Sequence, residues 1–124
     1  MTRSSARPTV QVRPTRLGKI LVGSRGRTLY LFKKDTRGKS SCSGTCAVNW
    51  PPLLATGRRV AGSGVRASKL TTTSRSNRQQ QVIYDGHPLY RFIGDTGPGD
   101  TNGEGLTAFG ARWFVVSPAG NQIG

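Results

Sequence analysis

The 124 residues carry 19 Lys and Arg against 5 Asp and Glu, a formal net charge of +14, with one His and two Cys. That length fits one domain, and no run of about 18 apolar residues offers a membrane-spanning helix. So few His and Cys also exclude a zinc site built from those residues within one chain.

In chain order, residues 1–16 (MTRSSARPTVQVRPTR) carry four Arg, two Pro and no acid, a composition that predicts a basic, disordered leader. They lack the apolar centre of a secretory signal and a lipid-attachment Cys. LGKILVGSRGRTLYLFK then places apolar strands on both sides of a Gly/Ser/Arg turn. CAVNW, ahead of Pro51, predicts one helical turn, and the Gly/Ser/Thr/Arg-rich stretch 56–78 contains one short candidate strand, KLTTT. QQVIYDGHPLYRFI reads as a tight hairpin around Asp85-Gly86, a dipeptide suited to a type I′ turn. RWFVVSPAGNQ supplies a last strand, stopped by Pro118 and Gly120.

Two of these segments are copies of each other. GRTLYLFKKD (26–35) aligns without gaps on GHPLYRFIGD (86–95), sharing Gly, two residues, Leu, Tyr, any residue, Phe, two residues and Asp. A Trp follows each copy, Trp50 and Trp113. The repeat predicts two related units, 17–57 and 78–118, joined by a polar segment and followed by a short tail at 121–124. Residues two apart share a sheet face, so Tyr30 with Phe32 and Tyr90 with Phe92 form matching aromatic rows. Leu29 and Leu31 make the first strand apolar on its other face as well. Asp35 and Asp95 are placed to accept hydrogen bonds from turn amides. The expected fold is all-β: a single small domain of two diverged hairpin repeats, sandwich-like or a small barrel, with long Gly/Ser-rich loops and the aromatics in its core.

Candidate chemistry is sparse. In DTGPGDTNGEG (95–105), Asp100, Asn102 and Glu104 alternate as in a calcium loop. The twelfth position, however, would be Ala111 in place of a bidentate carboxylate. The competing reading is a Gly-rich turn whose polar side chains cap their own backbone. Any Ser-His-acid or Cys-His arrangement would have to recruit His87 from a turn, and no phosphate-binding glycine fingerprint is present. No enzyme activity and no cofactor are expected.

TLYLFKKD, SCSGTCAVNWPPLLA, QVIYDGHPLYRFIGD, GPGDTNGEG and RWFVVSPAG, in that order over about residues 17–120, resemble the bacterial family called secreted repeat of unknown function. That family is also described as predicted lipoproteins with a Tyr-x-aromatic-x-x-Asp motif. The resemblance carries over Tyr30, Phe32 and Asp35, Tyr90, Phe92 and Asp95, and Cys42, Cys46, Trp50, Pro51 and Pro52, with Trp113 closing the second copy. It implies a β-rich domain exported to the envelope or beyond, and supplies no activity. In an exported protein, Cys42-Ser-Gly-Thr-Cys46 reads first as a structural disulfide. A redox-active dithiol is the second reading, and a Cu(I) site, with His87 as its one available imidazole, the third.

The charge completes the picture. Residues 1–84 hold 17 basic residues and one acid, Asp35, whereas residues 85–124 hold Arg91 and Arg112 against four acids. Such a field attracts polyanions. Nucleic-acid recognition also needs a groove-reading helix or exposed stacking aromatics, which cannot be read here. The expectation is a non-enzymatic envelope or extracellular binding module whose basic face meets an anionic polymer or lipid surface. The alternatives are an exported redox or copper-handling protein and a nucleic-acid-binding protein.

Overall fold

The computed structural model describes residues 9–55, 60–75 and 78–123. The leader's first eight residues, the end of the first unit at 56–57, and Gly124 lie outside them. Among the described residues, eight strands are present: β1 Gln11–Thr15, β2 Gly18–Val22, β3 Tyr30–Phe32, β4 Leu70–Ser74, β5 Gln80–Tyr84, β6 His87–Pro88, β7 Thr107–Ala108 and β8 Ala111–Val115. One short helix, α1 Thr45–Asn49, joins them. The strands form three small antiparallel sheets, β1-β2, β3-β8-β7 and β4-β5-β6, and no barrel closes.

Two expectations are corrected. The second half of the basic leader is not disordered, because Gln11–Thr15 pairs along its length with β2. Val10 is fully buried and Val12 packs on the core. Pro14 is tolerated since β1 is an edge strand with one neighbour. KLTTT, shifted by one residue to β4, pairs with β5 as β1 does with β2, so it opens the second unit instead of linking the two. The short tail reaches the core at Ile123, whose amide bonds to the Val115 carbonyl at 3.0 Å and whose side chain packs on the aromatic cluster.

The remaining elements follow the sequence. Asp85 and Gly86 hold φ of 52° and 84°, the double positive φ of a type I′ turn. β2, β3 and β8 are apolar on successive residues because they are buried on both faces. Leu21, Leu29, Leu31, Phe114 and Val116 enter one core with Val82, Tyr84 and Leu89. Ile20, Val22, Tyr30, Phe32, Trp113 and Val115 enter the other with the two cysteines, Trp50 and Tyr90.

The two units interlock reciprocally. Tyr30 and Tyr90 exchange both backbone hydrogen bonds, at 2.8 and 3.0 Å, and so join the two motif strands. Val115, beyond Trp113, lies opposite Tyr30 of the first unit. Pro52, beyond Trp50, lies opposite Tyr90 of the second. The Leu21 amide bonds to the Val116 carbonyl and the Val82 amide to the Leu53 carbonyl, both at 2.8 Å. Each unit therefore lends the segment after its Trp to the other.

Candidate functional site

The side chains obey the same exchange. The Tyr30 hydroxyl donates to Asp95 Oδ2 at 2.6 Å, and the Tyr90 hydroxyl donates to Asp35 Oδ2 at 2.7 Å, so each motif's Tyr is bonded to the other motif's Asp. Four rings stack in one column. Phe32 lies on Trp113 at 4.0 Å, Trp113 on Trp50 at 3.9 Å, and Trp50 on Phe92 at 4.2 Å. Tyr30 meets Trp50 edge-on at 5.4 Å and Tyr90 meets Trp113 at 5.1 Å. Such pairs contribute about 1 kcal/mol each beyond the area they bury. Gly103 allows the approach, since a Cβ there would lie 2.8 Å from the Trp50 ring and 3.0 Å from Tyr30.

Both motif carboxylates accept turn amides, as the sequence led one to expect: Asp35 Oδ1 from Ser41 N at 2.7 Å and Asp95 Oδ1 from Asn102 N at 2.9 Å. Burial pushes both carboxyls above their ordinary value, while these hydrogen bonds pull them back down. Burial, and then the neighbouring Asp, pushes both phenols well above theirs. Each phenol therefore favours its neutral form and donates its proton to the other unit's carboxylate, clamping the two units together. The Tyr-to-Asp exchange escaped sequence reading. The available signal was that a buried Tyr hydroxyl must find a partner.

Cys42 and Cys46 are joined in a disulfide with 5.2 Å between their Cα atoms. Both are buried beside Trp50 in the aromatic core. Cross-linking so short a loop removes about 2 kcal/mol of unfolded-chain entropy. The loop is held from outside by Arg75, which donates to the Cys42 carbonyl, to Ser40 Oγ and to Gln81 Oε1 at 2.8–2.9 Å. Tyr90 gives its one proton to Asp35, so the 2.6 Å contact with Ser40 is donated by Ser40. His87 lies in β6 opposite Tyr84, within electrostatic reach of Asp85, Lys33 and Arg37.

The side chains of the acidic loop bond to nearby backbone. Asp100 Oδ2 accepts the Thr96 and Gly97 amides at 3.0 Å, which hold its carboxyl below the ordinary value. Glu104 accepts the Val115 amide at 2.8 Å, and Asn102 donates its side-chain amide to the Gly94 carbonyl at 3.2 Å. The three predicted calcium ligands thus serve separate backbone groups. No cluster of three His, Cys, Asp or Glu fit to hold a metal ion occurs among the described residues. Pro51 and Pro52 carry the exchanged segment, the Pro51 carbonyl accepting the Arg91 amide at 2.7 Å. Beside them opens a cleft of about 790 Å³, lined by Arg25, Arg27, Arg91, Phe92, Ile93 and Asp95 among others.

A buried centre assembled from two copies of one motif, each completed by the other, defines a duplicated all-β domain. The chain belongs to the family described as secreted repeat of unknown function, whose model matches it twice, over residues 12–54 and 71–117. Both matched stretches span the strands that correct the unit boundaries, beginning within β1 and β4. No curated protein and no solved structure matches the chain. The family's description as secreted agrees with an extracellular location. Among the described residues, no helix is long and apolar enough to cross a membrane.

Proposed function

We propose that this protein is a non-enzymatic extracellular or envelope module that binds an anionic polymer through its basic surface. The observation that carries this reading is the fate of the acids. All five are bonded within the chain: Asp35 and Asp95 to the phenols, Asp100 and Glu104 to backbone amides, and Asp85 to Lys69 at 3.0 Å. That last contact is the single ion pair among the described residues. Most of the described Lys and Arg are left without a counter-charge, so the surface potential stays strongly positive. The closed, buried disulfide supports a structural staple over a dithiol or a Cu(I) site, since neither sulfur is a free thiolate. The test is retention on an immobilised anionic polymer across a salt series. Binding is expected to weaken steeply between low salt and about 0.5 M, where screening reaches contact distance. Salt-independent retention would overturn the reading, and equal retention on DNA would favour the nucleic-acid alternative.

A further inference from the structure

The two units match in their core, so the places where they differ single out what only one of them does. The clearest difference lies at the turn before the motif strand. In the second unit this turn is the two-residue Asp85-Gly86, and the Arg37 guanidino group packs over it, 2.8 Å from where a Gly86 Cβ would sit. In the first unit the turn is longer, runs through Ser24–Gly26, and carries Arg25 and Arg27. Arg25 holds a φ of 61°, in the region that favours glycine, so a long cationic side chain occupies a backbone position that costs it energy. The position equivalent to Arg27 is His87, that equivalent to Arg91 is Leu31, and that equivalent to Ile93 is Lys33. The cleft of about 790 Å³ opens where these differences meet.

We propose that this cleft binds a phosphate ester carried on a sugar or polyol chain. The inference rests on the anionic-polymer reading above and names its site and its chemistry. The Arg25 and Arg91 side chains are exposed, and neither guanidinium group takes part in a hydrogen bond or ion pair among the described residues. Arg27 is held in place by one bond from Nη1 to the Asp95 carbonyl at 2.7 Å, which leaves its other N–H groups to donate. The one carboxylate lining the cleft, Asp95, is buried and lies within electrostatic reach of Arg27, so a single negative charge faces three guanidinium groups and the cleft stays cationic. A phosphate, with several acceptor oxygens, bridges more than one guanidinium fork, whereas a carboxylate occupies one. The cleft lining also includes apolar side chains: Phe92, backed by Trp50, and Ile93, which is 59% exposed. A face of C–H groups is the natural partner for them, and a phosphorylated sugar or polyol presents both features in one repeat.

The test measures the dissociation constant of a short phosphodiester-linked glycerol oligomer at fixed ionic strength, with poly-glutamate of matched charge as comparison. Arg25→Ala/Arg91→Ala is compared with Lys34→Ala/Arg112→Ala, which removes the same charge from exposed positions outside the cleft. The cleft pair is expected to weaken phosphodiester binding by about tenfold or more per arginine, and the control pair by far less. Equal losses in the two variants would overturn the cleft while leaving the general anionic-surface reading intact. Equal affinity for poly-glutamate, with the same dependence on Arg25 and Arg91, would overturn phosphate as the chemistry. Absence of binding to both polymers would overturn both readings. Should the double variant fail to fold, Arg91→Ala alone carries the comparison.

Discussion

Tyr30→Phe and Tyr90→Phe remove the same atom from symmetry-related positions, yet the structure makes their costs unequal. The Tyr30 hydroxyl is buried, donates to a carboxylate that is itself only 5% exposed, and accepts the Gly103 amide at 3.1 Å. Removing it strips a charge-assisted hydrogen bond from a buried anion and orphans a buried N–H, a loss of about 3 kcal/mol. Asp35, by contrast, is half-buried and keeps both the amide and the hydroxyl of Ser41, and Ser40, which donates to the Tyr90 hydroxyl, has the Cys42 carbonyl at 3.3 Å as another acceptor, so Tyr90→Phe costs about 1 kcal/mol. At about 4 °C per kcal/mol for a domain of this size, the melting temperature falls about 12 °C in the first variant and about 4 °C in the second. The pH dependence gives an internal check. The Tyr30 bond lowers the folded-state value of Asp95, so its loss raises that value further above the unfolded one. A carboxyl of that kind loses stability as pH rises through its folded value. The Tyr30→Phe penalty is therefore full at neutral pH and shrinks as pH falls through the Asp95 range. Urea unfolding of the oxidised protein at both ends of that range measures it. Equal penalties for the two variants, or a Tyr30→Phe penalty that ignores pH, would refute the reasoning.

Two further outcomes follow from packing and charge. Gly103→Ala drives a methyl group into the Trp50 ring and destabilises by about 2 kcal/mol through overpacking. Gly38→Ala, at φ 76° with open space around it, costs about 1 kcal/mol from backbone conformation alone, so the two denaturation midpoints should differ. Burial, reinforced by Lys33 and Arg37, pushes His87 below its ordinary value of about 6.5. Because the folded value lies below the unfolded one, this residue costs stability as pH falls from about 6.5. His87→Asn is expected to flatten that part of the stability profile, and an unchanged slope would remove His87 as its source.

The sequence disclosed the local features and concealed the long-range ones. The Asp85-Gly86 turn, the turn-amide roles of Asp35 and Asp95, the helix after Cys42 and the two-sided burial of β3 all depend on neighbours within a few residues. Each could be read from spacing. β1 was hidden because Arg13 and Pro14 interrupt the apolar alternation begun by Val10 and Val12, and an edge strand tolerates that interruption. β4 was only half-read, because Thr71–Thr73 carry no apolar stripe, and its place in the second unit comes from pairing with β5. The calcium pattern has a competing physical reading. Alternating acids in a Gly-rich loop serve equally well as acceptors for backbone amides, and here they take that role. The aromatic rows were legible, but their exchange was not, since spacing along one hairpin says nothing of which unit supplies the partner.

That exchange bears on where function can reside. Because Tyr30 needs Asp95, Tyr90 needs Asp35, and Trp50 and Trp113 stack only on each other and on the rings of the opposite units, a change to one motif residue disturbs both halves. The fold thereby fixes its most distinctive residues in a structural task, although a Tyr, an Asp and two Trp at one centre would suggest a binding or catalytic site in a sequence alone. Freedom to differ is left to positions outside the clamp, and the differences there run in one direction. The first unit exchanges a tight turn for one bearing two arginines, and the second places Arg91 beside it where its own copy has Leu31. On the proposed reading, recognition falls to the asymmetric cationic cleft, which meets the symmetric aromatic centre at Phe92, stacked on Trp50.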